Sequence, residues 1–235
     1  MEELKTDGRI NAALSFVRRG KTVADIGTDH GYLPIYLTKN GICPFCYASD
    51  VNRMPLEKAK SNAEKYGVAD KIAFYLSDGL RFIDEGSDLT PPPDDIVIMG
   101  MGGELIVDIL AASDYVKNKD VSLILQPMTM ADKLRRYLAE NGFLVTDEHL
   151  SEAAGKIYTV MNAHYNGERR TLAKAEALLG RANIERGGEL FVRYAEAMLA
   201  KVGKKRDGLL SGGHQAEEEN RLYNKMEEII RSVTK

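Results

Sequence analysis

The sequence has no tryptophan, only two cysteines and only four histidines among its 235 residues. Two cysteines are too few for a disulfide framework, and Cys43 and Cys46 supply half of the four ligands that a structural zinc site needs. No apolar run approaches the about 18 residues of a membrane span, and the first thirty residues lack a secretory signal pattern. We therefore expect a cytoplasmic protein with no metal and no membrane partner, in which both cysteines serve packing.

Charge is unevenly distributed along the chain. The net charge is −3, yet residues 165–235 hold 14 basic and 11 acidic residues, so the preceding part is the acidic one. This distribution excludes a uniformly basic nucleic-acid-binding protein and indicates an acidic body with a mildly basic tail.

Strand and helix patterns alternate through the first part of the chain. Short strand patterns cover residues 22–27, 45–50, 71–76, 95–99 and 121–125, with helical patterns between them. Residues 143–150 and 156–164 have no helix between them and should pair antiparallel. The alternation requires a mostly parallel sheet. We predict an α/β, Rossmann-like doubly wound domain over residues 1–164.

Two helix boundaries can also be predicted. The apolar spacing of residues 9–19 predicts one helix that ends before Gly20. Thr129 and Asp132 resemble a capping box, which predicts a helix that runs on to Asn141 and ends at Gly142.

Residues 165–235 carry a helical pattern without strands. Apolar residues recur at positions 191, 195, 198 and 202 and again at 222, 226, 229 and 233, with turn signals at 207–208 and 211–213 between them. The spacing predicts an antiparallel helical hairpin of the coiled-coil type. The hairpin either folds onto the sheet domain or projects as an arm.

Aspartates follow the first three predicted strands. The first turn, Asp25-Ile-Gly-Thr-Asp29, approaches a dinucleotide-binding loop, but Asp29 occupies the place of the middle glycine. Asp50 and Asp78 end the next two strands, and the carboxyl ends of parallel strands share one crevice. Four carboxylates there would repel a pyrophosphate, whereas S-adenosylmethionine carries a sulfonium and an ammonium. The pattern favours S-adenosylmethionine as cofactor.

Two segments resemble a known family. Residues 24–34, Ala-Asp-Ile-Gly-Thr-Asp-His-Gly-Tyr-Leu-Pro, and residues 98–103, Ile-Met-Gly-Met-Gly-Gly, are similar to motifs of the bacterial TrmK-type tRNA (adenine-N1)-methyltransferases. The resemblance covers most of the chain. It implies a class I methyltransferase sheet, S-adenosyl-L-methionine as cofactor, and methylation of adenosine 22 in the tRNA D-arm.

The resemblance and the strand ends together assign candidate site residues. The cofactor-binding candidates are Asp25, Gly27, Asp29, His30, Gly31, Asp50, Val51, Asp78, Gly79, Met99 and Gly100. Asp29 is the catalytic candidate that would accept a hydrogen bond from the adenine amino group, and Asp78 is the reserve. Gln126, at the end of the fifth strand, is a candidate contact to the base.

Basic residues supply the candidates for RNA contact. The main set is Arg9, Lys201, Lys204, Lys205 and Arg206, and the pairs Arg18-Arg19, Arg135-Arg136 and Arg169-Arg170 extend it. Three prolines at 91–93 precede the fourth strand, and no Asn/Asp-Pro-Pro-aromatic turn follows it. This favours methylation of a ring nitrogen over an exocyclic amine.

Three alternatives stay open at this point. They are an NAD-dependent oxidoreductase, a small-molecule S-adenosylmethionine-dependent methyltransferase whose hairpin mediates dimerisation, and a binding module that kept the fold without catalysis. Our main hypothesis is a tRNA-modifying enzyme that is a monomer or a weak homodimer.

Overall fold

One mixed sheet organises the chain, of which the computed structural model describes residues 7–86 and 89–234. Its strands are β1 (Val23–Ile26), β2 (Cys46–Asp50), β3 (Ile72–Leu76), β4 (Asp95–Gly102), β5 (Ser122–Thr129), β6 (Phe143–Ala153) and β7 (Lys156–Tyr165). Their order across the sheet is β3-β2-β1-β4-β5-β7-β6. The strands β1 to β5 are parallel, and β7 is antiparallel to both β5 and β6. The predicted Rossmann-like sheet with a final antiparallel pair is confirmed.

Helices cover both faces of this sheet. One layer contains α1 (Gly8–Leu14), α2 (Tyr32–Lys39) and α3 (Arg53–Lys65), and the other contains α4 (Arg81–Asp84), α5 (Gly103–Ala111) and α6 (Ala131–Glu140). Central strands are therefore buried on both sides, which explains their continuous apolar character. Cys43 and Cys46 are buried free thiols in the core beneath the first layer.

The first helix is shorter than the predicted span of residues 9–19. It ends at Leu14, and the Ser15 side chain then bonds the carbonyl oxygen of Ala12 at 2.7 Å. Four residues after Leu14, the backbone N–H and the guanidinium of Arg18 both donate to the Asp95 carboxylate, at 2.8 and 2.6 Å. This tertiary ion pair lies at the start of β4 and fixes the chain in a non-helical path. The local apolar spacing could not predict it.

The predicted capping box at Thr129 is wrong. Thr129 is the last residue of β5, and α6 begins after Met130, which has a φ of 55° and no side-chain capping bond. The strands β4 and β5 both extend beyond their predicted ends and stay paired as far as Gly102 and Thr129. The residues that the local pattern assigned to the helix cap are therefore paired in the sheet.

Four helices follow the sheet in residues 166–234. The short α7 (Lys174–Leu179) and α8 (Arg181–Arg186) precede α9 (Glu189–Ser211) and α10 (Glu217–Val233). The last two pack together, and Lys205 of α9 pairs with Glu219 of α10 at 2.8 Å, which confirms the predicted hairpin. Its turn follows Ser211, whereas residues 207–208 lie within α9. The apolar seam of the hairpin also packs against Leu150 and Ile157, so the hairpin folds onto the β6–β7 end of the sheet.

A buried ion pair ties these helices to the sheet. Arg135 of α6 donates to Glu148 of β6 at 2.6 Å, and its guanidinium also donates to the carbonyls of Ala177 and Leu178 at the end of α7. Its side chain is only 3% exposed. The prediction that Arg135 contacts RNA is therefore wrong, because a buried guanidinium with these partners serves architecture.

Candidate functional site

The reversal of strand order creates a crevice between β1 and β4. After β1 the chain passes to α2 on one face, and after β4 it passes to α5 on the other, so the two loops separate at the carboxyl edge. The loops contact each other across the crevice, since a β-carbon at Gly27 would collide with Cε of Met101. Ligands of open α/β sheets bind at this type of switch point.

Asp25 lies buried below the first loop. Its Oδ2 accepts a hydrogen bond from the Thr28 hydroxyl at 2.8 Å, and the residue is only 5% exposed. The pKa of Asp25 is raised to about 7, chiefly by burial; the Thr28 hydrogen bond opposes this shift and the neighbouring Asp50 carboxylate adds to it. Asp25 is thus a carboxyl group whose ionisation a nearby ligand cation would favour.

Asp50, the last residue of β2, binds the backbone of the same loop. Its Oδ2 accepts the backbone N–H of Asp29 at 3.3 Å, and its Oδ1 accepts the N–H of Asn52 at 2.8 Å. A carboxylate offers about four lone-pair positions, so two remain for donors from a ligand. The residue is 9% exposed and already oriented by backbone bonds.

Asp29 and His30 occupy the rim of the crevice. Asp29 has a left-handed φ of 50°, which directs a largely exposed side chain outward, and its Oδ2 lies 2.8 Å from Nδ1 of His30. The His30 ring stacks on that of Tyr32 at 5.6 Å between centroids. The structure thus combines an accessible carboxylate with an aromatic pair beside the cleft.

The third strand contributes a further part of this edge. Asp78 is exposed just after β3, and the backbone N–H of the preceding Ser77 donates to the Asp50 carbonyl at 3.0 Å. Val51, directly after β2, is 63% exposed. Gly79 has a φ of 58° and packs against Ile109 of α5. The aspartates predicted from the sequence therefore lie on adjacent loops of one edge.

Gly31 has a clear packing role. It is buried, has a φ of 72°, and a β-carbon there would lie 2.9 Å from Cβ of Ala59 in α3. Glycine is needed for the close approach of α2 and α3, and this packing places the start of α2 under the first loop.

The end of β4 is held by a residue to which the sequence assigned another role. Gln126 is fully buried, its Oε1 accepts the N–H of Gly100 at 3.1 Å, and its Nε2 donates to the carbonyl of Pro127 at 3.0 Å. The prediction that Gln126 contacts the base is wrong for this reason. Met99 is half-buried and Gly100 is exposed at the cleft.

Arg9 lies at the carboxyl edge, beside the end of β5. Its guanidinium donates to Asp7 at 2.6 Å and to Sδ of Met128 at 3.3 Å, and it lies 5.5 Å from the centroid of the Tyr158 ring. The contacts with Met128 and Tyr158 were not predictable, because the three residues are far apart in sequence and only the sheet order brings them together.

The hairpin cations differ in their surroundings. Lys205 pairs with Glu219, while Arg206 pairs with Asp207 and lies over the Tyr223 ring at 4.3 Å. Lys201 and Lys204 are exposed and have no ion pair with any residue that the structure describes. Among the other candidates, Arg169 and Arg170 are exposed, whereas Arg18 is bound to Asp95 at the opposite edge of the sheet.

Within residues 7–86 and 89–234, no group of three or more histidine, cysteine, aspartate or glutamate side chains is arranged to hold a metal ion. No helix in the same ranges is both long enough and apolar enough to span a membrane.

Comparisons with known proteins agree with this geometry. Residues 6–161 match the family model described as a methyltransferase domain. The tRNA (adenine(22)-N(1))-methyltransferase of Bacillus subtilis is 37% identical over 164 residues, which span 69% of this chain and 66% of that protein. The alignment thus covers just under two thirds of that relative.

Solved structures extend the likeness to the whole chain. The crystal structure of the m1A22 tRNA methyltransferase TrmK of B. subtilis superposes with a TM-score of 0.81 at 28% identity, covering 99% of this chain and 100% of that one. The Streptococcus pneumoniae protein Sp1610, solved with S-adenosyl-L-methionine, gives a TM-score of 0.79 at 30% identity over 97% of this chain and 99% of that one.

The chain therefore belongs to the methyltransferase-domain family. Within this family, the likeness over the full length of both chains groups it with the TrmK-type proteins.

The raised pKa of Asp25 makes stability depend on pH. Between the ordinary value of 3.8 and about 7, the folded state holds a proton that the unfolded state has lost. The free energy of unfolding should therefore fall as pH rises through this window, by up to about 1.4 kcal/mol per pH unit. We expect Asp25→Asn, which keeps an acceptor for Thr28, to be increasingly more stable than the unmodified protein from pH 5 to pH 8. Urea unfolding at several pH values measures this, and parallel curves for the two proteins would contradict it.

Proposed function

We propose that this protein transfers a methyl group from S-adenosyl-L-methionine to N1 of an adenine in tRNA, at position 22 of the D-arm. The observation that carries the proposal is the set of carboxylates at the ends of β1 and β2, beside a glycine loop that has no phosphate-binding lysine. The named relatives support the substrate, since the B. subtilis protein TrmK is described as an m1A22 tRNA methyltransferase and the S. pneumoniae protein Sp1610 as a putative tRNA (m1A22) methyltransferase.

The residues present fit this cofactor. Asp50 has two oxygens oriented by backbone N–H groups and keeps lone pairs for ribose hydroxyls. Asp25 lies near enough to the first loop to favour an ammonium group there, and the start of α2 has no side-chain cap competing for its N–H groups. A dinucleotide fits less well, because its pyrophosphate would meet Asp29, which stands in the place of the middle glycine of a dinucleotide-binding loop. When bound, the cofactor supplies an electrophilic methyl group on a sulfonium.

The residues of the chain would then orient the base and stabilise charge. Adenine N1 carries a lone pair and needs no strong base, so positioning at about 3–3.5 Å contributes much of the rate. Asp29 is exposed at the rim and is our candidate to accept a hydrogen bond from the adenine amino group. A carboxylate there also stabilises the positive charge that develops on the ring. Asp78 is the reserve candidate. N1 lies on the pairing edge, so the target base must be unpaired.

Domain roles follow from the same proposal. We assign residues 1–164 to cofactor binding and catalysis, and residues 165–235 to a helical tRNA-binding arm. The family match at residues 6–161 ends close to this boundary. A tRNA substrate also implies the cytoplasm, and we expect the chain to act as a monomer or weak homodimer.

Nucleoside mapping tests the proposed function. Purified protein, unmodified tRNA and S-adenosylmethionine should yield 1-methyladenosine at position 22, detected by mass spectrometry after nuclease digestion near neutral pH. A tRNA with guanosine at this position is the control and should stay unmodified. N6-methyladenosine as the primary product, or no methylated nucleoside, would contradict the proposal.

Removal of Asp50 tests the cofactor site. Asp50→Ala should raise the Kd for S-adenosylhomocysteine about 10- to 100-fold, because a charge-assisted hydrogen bond contributes about 1.5–3 kcal/mol. The matched control is Asp70→Ala, at an exposed aspartate before β3, and it should bind normally. Isothermal calorimetry gives both constants, and equal affinities of the two variants would remove Asp50 from the site.

Charge reversal tests the hairpin. Lys201→Glu with Lys204→Glu should weaken tRNA binding and reduce the slope of log Kd against log salt by about 1 to 2, since two phosphate contacts are lost. The matched control reverses Lys39 and Lys119, two exposed lysines near the amino edge of the sheet. Filter binding at several salt concentrations measures the slopes. If both double variants behave alike, the hairpin does not bind RNA through these lysines.

A further inference from the structure

A bulge interrupts the pairing of β4 and β5 beside the crevice. Met99 pairs with Gln126 and Met101 pairs with Pro127, so Gly100 is an extra residue on β4 with no counterpart on β5. Its φ of 76° is the left-handed conformation that glycine adopts without strain. A bulge removes a residue from the regular ladder and leaves its N–H group without a strand partner.

The side chain of Gln126 supplies the missing partner. Oε1 accepts the Gly100 N–H at 3.1 Å, while Nε2 donates to the Pro127 carbonyl at 3.0 Å and approaches Sδ of Met128 at 3.6 Å. One fully buried amide therefore links the bulge in β4 to the last residues of β5.

The link extends to both walls of the cleft. On one side, the residue after the bulge is Met101, whose Cε packs against Gly27 of the first loop. On the other side, Met128 Sδ also accepts a hydrogen bond from Arg9 at 3.3 Å. Gln126 thus lies at the junction between the first loop, the end of β4 and the start of α1.

We propose that Gln126 is a positioning residue, which holds the Gly100 bulge at a fixed distance from Pro127 and Met128 and so sets the width of the cleft where the target base meets the methyl donor. The proposal rests on the proposed methyl transfer for its kinetic consequence. Gln126 is fully buried and touches no substrate, so it acts through the Gly100 backbone. Transfer depends steeply on geometry, and a displacement of about 1 Å costs about 100-fold in rate.

Three variants of the full-length chain test the role of Gln126. Gln126→Leu removes both hydrogen bonds at similar volume. Gln126→Glu keeps the acceptor for Gly100, and its donor function toward Pro127 depends on protonation. Asn183→Leu is the matched control, because Asn183 is a buried amide that donates to Leu179 within the C-terminal helices.

Two readouts separate positioning from simple destabilisation. In Gln126→Leu, amide exchange at Gly100 should be at least about 10-fold faster, and kcat should fall at least about 10-fold while the Kd for S-adenosylhomocysteine stays within about threefold. At low pH the kcat of Gln126→Glu should approach that of the unmodified enzyme. As pH rises, the ratio of the variant's kcat to that of the unmodified enzyme should fall. Asn183→Leu should lower the unfolding midpoint and leave kcat and Gly100 exchange unchanged.

Several results would overturn the proposal. They are unchanged Gly100 exchange in Gln126→Leu, an unchanged kcat, or a fall in kcat that Asn183→Leu reproduces at equal stability. If the unmodified protein methylates no tRNA, the proposed function fails, and the exchange rate of Gly100 then decides by itself whether Gln126 holds the bulge.

Discussion

Carboxylates that lie together at one edge of the sheet repel each other. The site depends on the interactions by which the fold reduces this repulsion. Asp25 is buried and bound to the Thr28 hydroxyl, and its pKa is raised to about 7 by burial first and by Asp50 second. Asp50 is stabilised by two backbone N–H groups. A ligand cation would reduce the electrostatic repulsion that remains, and a ligand anion would increase it. We therefore propose that the acidic edge discriminates between classes of nucleotide cofactor by charge, before any shape complementarity is considered.

Backbone geometry gives this edge its form. Positive φ values at Gly27, Asp29 and Gly31 bend the first loop between β1 and α2. Across the crevice, the Gly100 bulge turns the end of β4 toward that loop, where Met101 packs on Gly27. The buried amide of Gln126 and the side chains of Met101 and Met128 hold this second wall. We propose that electrostatics selects the cofactor on one side of the crevice and that packing determines where a base can approach on the other.

Part of this organisation is visible in the sequence. Apolar runs such as those in β4 and β5 alternate with amphipathic helices, and this alternation predicts a parallel sheet whose strands have their carboxyl ends at one edge. Asp25, Asp50 and Asp78 could be placed at that edge from their positions alone. The C-terminal hairpin could also be predicted, because the apolar spacing of a helix is a local property of the sequence.

The remainder depends on contacts between distant segments. In the sequence, Arg135 belongs to the basic pair Arg135-Arg136, which is typical of an exposed surface. Only the fold shows that it is buried against Glu148. Gln126 looks like a polar residue at a strand end, and only the register of β4 and β5 reveals the bulge that it satisfies. The end of α1 is likewise determined by Arg18 and Asp95, 77 residues apart. Single-sequence patterns carry no information on such pairs.

The selection of a positively charged methyl donor by the acidic edge is the central claim, and a paired calorimetric titration tests it most directly. S-adenosylmethionine and NADH are titrated into the same preparation of the full chain under the same conditions. The account predicts saturable binding of S-adenosylmethionine at one site per chain and no measurable heat with NADH. Tight binding of NADH without a response to S-adenosylmethionine would contradict it.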